Sequence, residues 1–434
     1  MRKLACLPLF AAVVMALMIG CKGDQPSSGD SAESPASGEA KREYDPGASD
    51  TEIKIGQTMP YSGPASAYGT IGRAEAAYFK RLNENGGING RKINFISLDD
   101  AYNPAKTVEQ ARKLVEQEQV LFMFQPLGTP SNTAIHKYMN MKEVPQLFVS
   151  TGAHKWGDPK NFPWTMGFNP SYQLEAKTYG EYIASKMPNA KIAVLYQNDD
   201  FGKDYLIGLR EGLGDKANNI VKEESYEVSD ATVDSQMLSL QASKAEVFVN
   251  VATPKFAALA IRKAYDSGWK PSQFLTNVSI SRGAVLEPAG LEKAKGAMTT
   301  MYIKDPTDPT RADDPAIKEF KEFMAKYYPE GKVEDGSNIY AYLVGQVLEQ
   351  VLKQAGDDVS RENIMKQAAN LKDFTSPLLL DGIKINTSPD DYHLFDSLQL
   401  AKFNGESWVP MEREQVEASA AKPEAPAAKE AVAQ

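Results

Sequence analysis

Residues 93–149 read INFISLDDAYNPAKTVEQARKLVEQEQVLFMFQPLGTPSNTAIHKYMNMKEVPQLFV, and their pattern decides the fold. Ile93–Leu98, Val120–Phe124 and Gln146–Val149 are short apolar runs, the lengths of buried strands. Between them, 104–118 and 130–141 carry helical spacing, each opened by a proline. Strand, helix, strand, helix, strand in this order makes parallel strands joined by right-handed helical crossovers. Upstream, 53–56 is a strand, and Ile71, Ala74, Tyr78 and Leu82 recur at helical spacing until the turn cluster Asn85–Gly90. Downstream of Trp164 the alternation starts again: helix 172–187, strand 191–196, helix 203–213, strand 246–251, helix 254–267, strand 273–276. Segments 313–329, 336–355 and 360–371 read as helices, and 380–410 as strand and turn. The expectation is an α/β protein of two lobes, each a mostly parallel sheet flanked by helices. Its roughly 360 central residues exceed what one core usually serves.

The two ends of the 434-residue chain differ in kind from this centre. Arg2 and Lys3 precede an apolar run, Leu7–Ile19, too short to span a bilayer. The run ends at Gly20-Cys21, so residues 1–20 read as a signal peptide whose removal leaves Cys21 for lipidation. An ordinary cleaved signal with an incidental cysteine is the alternative. Cys6 leaves with the signal, so Cys21 has no disulfide partner. Residues 21–50, rich in Ser, Gly, Pro and acids, read as a flexible tether, and the Ala/Glu/Pro-rich 413–434 as an unpacked tail. The net charge of −9 argues against nucleic acid as a partner.

In open parallel sheets, ligands bind beyond the carboxyl ends of the strands. Those junctions supply the candidate binding residues: Tyr61, Ser62 and Tyr68; Gly128 and Thr129; Gly152, Ala153 and His154; then Phe201, Thr253 and Ser279. Thr129-Pro130 and Thr253-Pro254 are sound helix starts, whose free N–H groups suit a carboxylate. Plain capping is the competing reading. Tyr172 and Trp156 are further aromatic candidates. His136, His154 and His393 lack metal-ligand spacing, and neither a phosphate loop nor a nucleophile elbow is present. No metal, cofactor or catalytic role is expected.

From about Thr51 to Val409 the chain resembles the type I periplasmic binding proteins, in particular the branched-chain amino-acid (Leu/Ile/Val) receptors of ABC transporters. The resemblance rests on Ser62-Gly-Pro with Tyr68-Gly69, on Asn85-Gly-Gly-Ile-Asn-Gly-Arg-Lys, and on Asp99-Asp-Ala-Tyr-Asn-Pro104. Val144-Pro, Asn198-Asp-Asp-Phe-Gly and Ala289-Gly-Leu follow in order. It implies three crossover segments, near Gly167–Asn169, Met298–Tyr302 and Ile385–Leu400. The first lobe would then be 51–167 plus 302–385, and the second 168–301 plus 386–412.

The resemblance also implies a monomeric, lipid-anchored receptor on the periplasmic or extracellular face of a membrane, handing a small molecule to an ABC permease and ATPase. A ligand carboxylate would lie on Gly128, Thr129, Gly152 and His154, between Tyr68 and Phe201. One departure stands out: where those receptors place an acid for the ligand ammonium, this chain reads Thr276-Asn-Val-Ser-Ile-Ser281. A second-lobe tyrosine near Ala252-Thr253 is also missing from the pattern. The expected ligand is a carboxylate, either an amino acid met by Asp199 or Asp200, or an acid without an amino group. Sensing and envelope-scaffold roles are alternatives on the same fold.

Overall fold

The computed structural model describes residues 43–411. The signal peptide, Cys21, most of the tether and the tail lie outside them. Two sheets organise the fold. The first holds β1 (Glu52–Met59), β2 (Lys92–Asp99), β3 (Phe122–Phe124), β4 (Gln146–Val149) and β5 (Thr165–Gly167), in the order β2-β1-β3-β4-β5. All its pairings are parallel. The second holds β6 (Ile192–Gln197), β7 (Ile220–Tyr226), β8 (Val247–Val251), β9 (Ser272–Leu275), β10 (Met298–Met301), β11 (Gln399–Phe403) and β12 (Trp408–Pro410). Their order is β12-β11-β10-β9-β8-β6-β7, and only β11 is reversed, pairing antiparallel with both β10 and β12. β3, β4 and β8 are buried throughout, as central strands covered on both faces must be. Edge strand β2 is mostly half-buried.

The first-lobe helices begin at α1 (Gly69–Glu84), α2 (Pro104–Arg112) and α3 (Thr129–Met141). The second lobe uses α4 (Tyr172–Lys186), α5 (Asp200–Leu213), α6 (Asp234–Ala242) and α7 (Pro254–Asp266). The helix Gly336–Ala355 returns to α1, where Asn338 and Glu349 take hydrogen bonds from Thr70 (2.7 Å) and Tyr78 (2.6 Å). β7 and α6 answer to no expectation from sequence. The charged residues of Ile220–Tyr226 hide its strand pattern, because β7 is the outermost strand and only Tyr226 is buried.

Three stretches join the lobes. After β5 the chain passes Phe168 and Asn169 into α4. After β10, residues 302–304 bond to Leu378–Leu380. The third stretch leads into β11. The boundary expected at 385/386 falls within first-lobe packing, since the Thr387 hydroxyl donates to Ala368 (2.6 Å) and accepts from Leu371 N–H (3.0 Å). The Tyr392 hydroxyl donates to the Pro163 carbonyl at 3.2 Å. The tether boundary at 50 also moves inward. Tyr44 lies against Arg91, and Asp45 accepts the Arg361 N–H at 2.8 Å, so residues 44–50 are packed despite their polar composition.

Helices α4 and α5 touch backbone to backbone. A side chain at Gly208 would collide with the Gln173 carbonyl, and one at Gly212 with the Lys177 carbonyl. Glycine to alanine normally favours a helix by about 1 kcal/mol. Gly208→Ala should do the reverse and lower stability by about 1–3 kcal/mol through overpacking. Denaturant unfolding measures it, and a stabilised variant would contradict the close approach.

Candidate functional site

Strands β1–β4 and β6–β9 direct their carboxyl ends into one cleft between the lobes, with about 1020 Å³ of atom-free space, open solvent included. Its first-lobe wall carries Tyr68, Tyr102, Gly128, Thr129 and Ser150. Its second-lobe wall carries Tyr172, Phe201, Thr253, Asn277 and Val278, and the crossings add Asn169 and Met301–Pro306. Of the residues expected from sequence, Tyr68, Gly128, Thr129, Phe201 and Thr253 therefore lie on one cleft, together with Tyr172.

The helix ends in this cleft differ in how they are satisfied. Gly128 precedes α3 at φ +100°, a conformation that suits glycine, and α3 has no side-chain cap. Pro130 removes one donor, and the Thr129 hydroxyl is engaged with that of Thr151. The first-turn N–H groups and the positive end of the helix dipole remain for an anion. The first turn of α7 likewise has no side-chain cap and a proline at its first position; only the Thr253 N–H before it is taken, by the Tyr226 hydroxyl at 2.9 Å. So there is a second-lobe tyrosine at Thr253 after all; it comes from the unread strand β7, far away in sequence.

The start of α5 is closed by a carboxylate of its own. Asp199 accepts the N–H groups of Phe201 (2.9 Å) and Gly202 (3.4 Å), and Gln197 Nε2 at 2.6 Å. Burial raises its pKa to about 6. Asp200 pairs with Lys155 at 2.6 Å. Neither lines the cleft. Two acids do: Asp305 accepts the Trp408 N–H (2.9 Å) and the Thr307 hydroxyl (2.7 Å), and Glu334 is exposed. Glu175 lies buried behind Asn277, accepting its N–H at 2.7 Å, and burial raises its pKa to about 7.

Contacts across the cleft hold the lobes together. The Tyr68 hydroxyl donates to the Val278 carbonyl (3.0 Å), Ser281 to Asp335 (2.8 Å), and Gly283 N–H to the Glu334 carbonyl (3.1 Å). Most of the wall side chains are consequently buried.

The other expected residues do not line the cleft. The Tyr61 hydroxyl meets Ser97 at 2.6 Å, and burial pushes its pKa up to about 12. Ser62 is exposed and donates to Asp99 (2.6 Å), while Ser279 donates to the Ala252 carbonyl (2.6 Å). Gly152 lies against the Pro170 carbonyl and the Tyr172 ring, and Ala153 is core. Trp156 is buried beside His136, whose pKa burial lowers to about 4. His154 stacks on His393 with ring centroids 4.7 Å apart. Its Nδ1 lies 3.0 Å from the Ser171 hydroxyl, and its N–H donates to Asp204 at 2.8 Å. Through Ser171 and Asp204, His154 ties the first lobe to the second instead of lining the cleft, with His393, 239 residues on, stacked beside it.

Sequence reasoning gave no binding role to Tyr102 or Tyr340. Tyr340 lies in the helix Gly336–Ala355, and its hydroxyl contacts Asn169 (2.7 Å), Gln125 (3.0 Å) and Ser150 (3.1 Å). Only a helix returning from more than 150 residues downstream could bring it there. Tyr102 had a local signal, the Asp99–Pro104 turn, discussed below.

Residues 52–407 match the family model described as periplasmic binding protein. The chain belongs to that family. A periplasmic binding protein of this kind holds a small-molecule ligand. The Leu/Ile/Val-binding protein homolog 1 of Brucella abortus (strain 2308) is 27% identical over 338 residues, 76% of this chain and 86% of the relative. A Thermus thermophilus branched-chain amino-acid ABC transporter protein, solved with bound valine, superposes with a TM-score of 0.75 at 18% identity. It covers 86% of this chain and 98% of that one. An R. palustris solute-binding protein in complex with 4-hydroxybenzoate gives 0.71 at 16% identity, with 84% and 97% covered. These two likenesses show the shared fold.

Burial, and then the neighbouring His393, hold the His154 pKa below its ordinary 6.5, while Asp204, Asp391 and Glu211 act the other way. Protonation is therefore harder in the folded protein than in the unfolded chain. The stability from this clasp is complete above pH 6.5 and is lost as pH falls through that value. Glu175 and Asp199, whose carboxyl pKa values burial raises to about 7 and about 6, add stability on acidification and act against His154 and His136. The test is therefore the difference between variant and parent: the Tm of His154→Gln relative to the parent should rise as pH falls from about 7 to 5. A slope identical to the parent's would show that the clasp does not titrate.

Proposed function

We propose that the protein is the extracytoplasmic receptor of an ABC importer, and that its ligand is a small acid bearing a carboxylate but no α-ammonium group. The carrying observation is the asymmetry of the cleft. Its first-lobe wall offers an uncapped helix start at Gly128 and Thr129. On its second-lobe wall, Thr276–Ser281 contains no acid, and Asp199 and Asp200 are engaged elsewhere. An ammonium buried there would lack a charge partner, at a cost of several kcal/mol. The partner of α3 would be the carboxylate, with Tyr68, Tyr172 and Phe201 packing on an apolar or aromatic body. Valine and 4-hydroxybenzoate, bound by the two structural neighbours, have only the carboxylate in common. Membership of a solute-binding family supports transport over catalysis.

The two lobes, expected at 51–167 with 302–385 and at 168–301 with 386–412, would close on the ligand, the last crossing lying beyond Tyr392. A monomer held to the membrane through lipid on Cys21 would deliver its ligand to the permease and ATPase. Cys21→Ser should move the protein from the membrane pellet to the soluble fraction; continued pelleting would remove the lipid anchor.

Calorimetry on protein refolded to strip ligand separates the ligand classes. 3-Methylbutanoate and valine share a carbon skeleton and differ by the ammonium. The acid should bind at least about tenfold more tightly, since an unpartnered buried charge costs more than 1.4 kcal/mol. Equal or tighter binding of valine would mean that Asp305, Glu334 or another group serves the ammonium.

A further inference from the structure

The cleft wall contains one side chain delivered by a backbone that resists its own conformation. Ala101 and Tyr102 are consecutive non-glycine residues at φ +53° and +56°, in the left-handed region that residues with a Cβ rarely enter. The turn is fixed from every side. Asp99 accepts the Ala101 N–H (3.0 Å), and Asp100 accepts the Tyr102 N–H (2.9 Å). Asp100 is fully buried and takes a further bond from the Thr107 hydroxyl at 2.7 Å. The Ala101 carbonyl abuts Gly63, where any side chain would collide with it.

This turn lays the Tyr102 ring on Gly128, at the start of α3. A side chain at Gly128 would occupy the ring's place. The ring lines the cleft and is almost completely buried.

We infer that Tyr102 is a specificity-determining residue of the cleft, its ring setting the room for the ligand body beside the α3 carboxylate subsite. The inference rests on the carboxylate reading for the place of that subsite. A residue that merely filled the core would weaken all ligands alike on removal. One that shapes the cleft changes which ligand is preferred.

The test uses the full chain with Tyr102→Phe, Tyr102→Leu and Tyr102→Ala. Straight-chain acids from acetate to octanoate, benzoate, 4-hydroxybenzoate, valine and leucine are titrated by calorimetry. Tyr102→Ala, or Tyr102→Leu should the alanine variant not fold, should shift the preference toward a larger body, by roughly tenfold per added methylene group. Tyr102→Phe, which keeps the ring, should keep the ranking. An unchanged ranking in the truncated variants overturns the inference. If the parent bound valine or leucine and none of the other acids, the carboxylate-only reading would fall, while the ranking of amino acids would still decide Tyr102. If it bound none of them, the reading and the inference would fall together.

Discussion

A helix start facing a dry cleft must find partners for its N–H groups, and much of this structure follows from how each start solves that problem. Parallel strands impose it, because every strand delivers the chain to a helix on the same side of the sheet. In α5 the answer is internal, with Asp199 folded back onto the Phe201 and Gly202 amides. In α7 the Tyr226 hydroxyl takes the Thr253 N–H before the first turn, which itself has no side-chain cap. In α3 no side chain caps the first turn either, and Pro130 has removed one of its donors. It is this first-lobe end that the proposed ligand carboxylate would complete.

The same accounting limits what the second lobe can do. A carboxylate already bonded to three donors has little left for a ligand. Asp199 is in that position, and burial that raises its pKa to about 6 adds a cost to any charge placed there. Glu175 is closer to the wall but stands behind Asn277, with the Asn277 N–H and the Tyr179 hydroxyl on one oxygen. The acids of this lobe stabilise its loops rather than present themselves to solute.

Much of the architecture was legible because period and punctuation agree along 93–149. Apolar runs of strand length alternate with proline-opened helices, and the pattern survives translation into β2, α2, β3, α3 and β4. β7 was not legible: Lys222, Glu223 and Glu224 face outward from an edge strand, and one buried tyrosine makes no pattern. The cleft was legible only where its residues follow a strand directly, as Gly128, Thr129 and Phe201 do. Tyr340 reaches it from a remote helix, and no local spacing encodes that. His154 shows the opposite failure. It stands at the right junction, but His393 and Asp204 take its ring and its amide.

Tyr102 lies between these cases. Its turn is visible in sequence as Asp99-Asp100-Ala101-Tyr102-Asn103-Pro104, a stretch that carries the family resemblance but no binding role for the tyrosine. The backbone gives it another meaning. Each of the two left-handed residues costs of order 1–3 kcal/mol, and a relaxed turn was open to this sequence unless something held it. Asp99, Asp100 and Thr107 hold it, and Asn103 then restarts the chain as the cap of α2. The buried Asp100 side chain reaches the cleft through the tyrosine it positions and, by way of Thr107, through Ser131 in the first turn of α3. Strain maintained by that many neighbours, with a ring at the mouth of an uncapped helix as its result, is hard to explain by packing alone, because an ordinary extended residue would have filled a core at less cost.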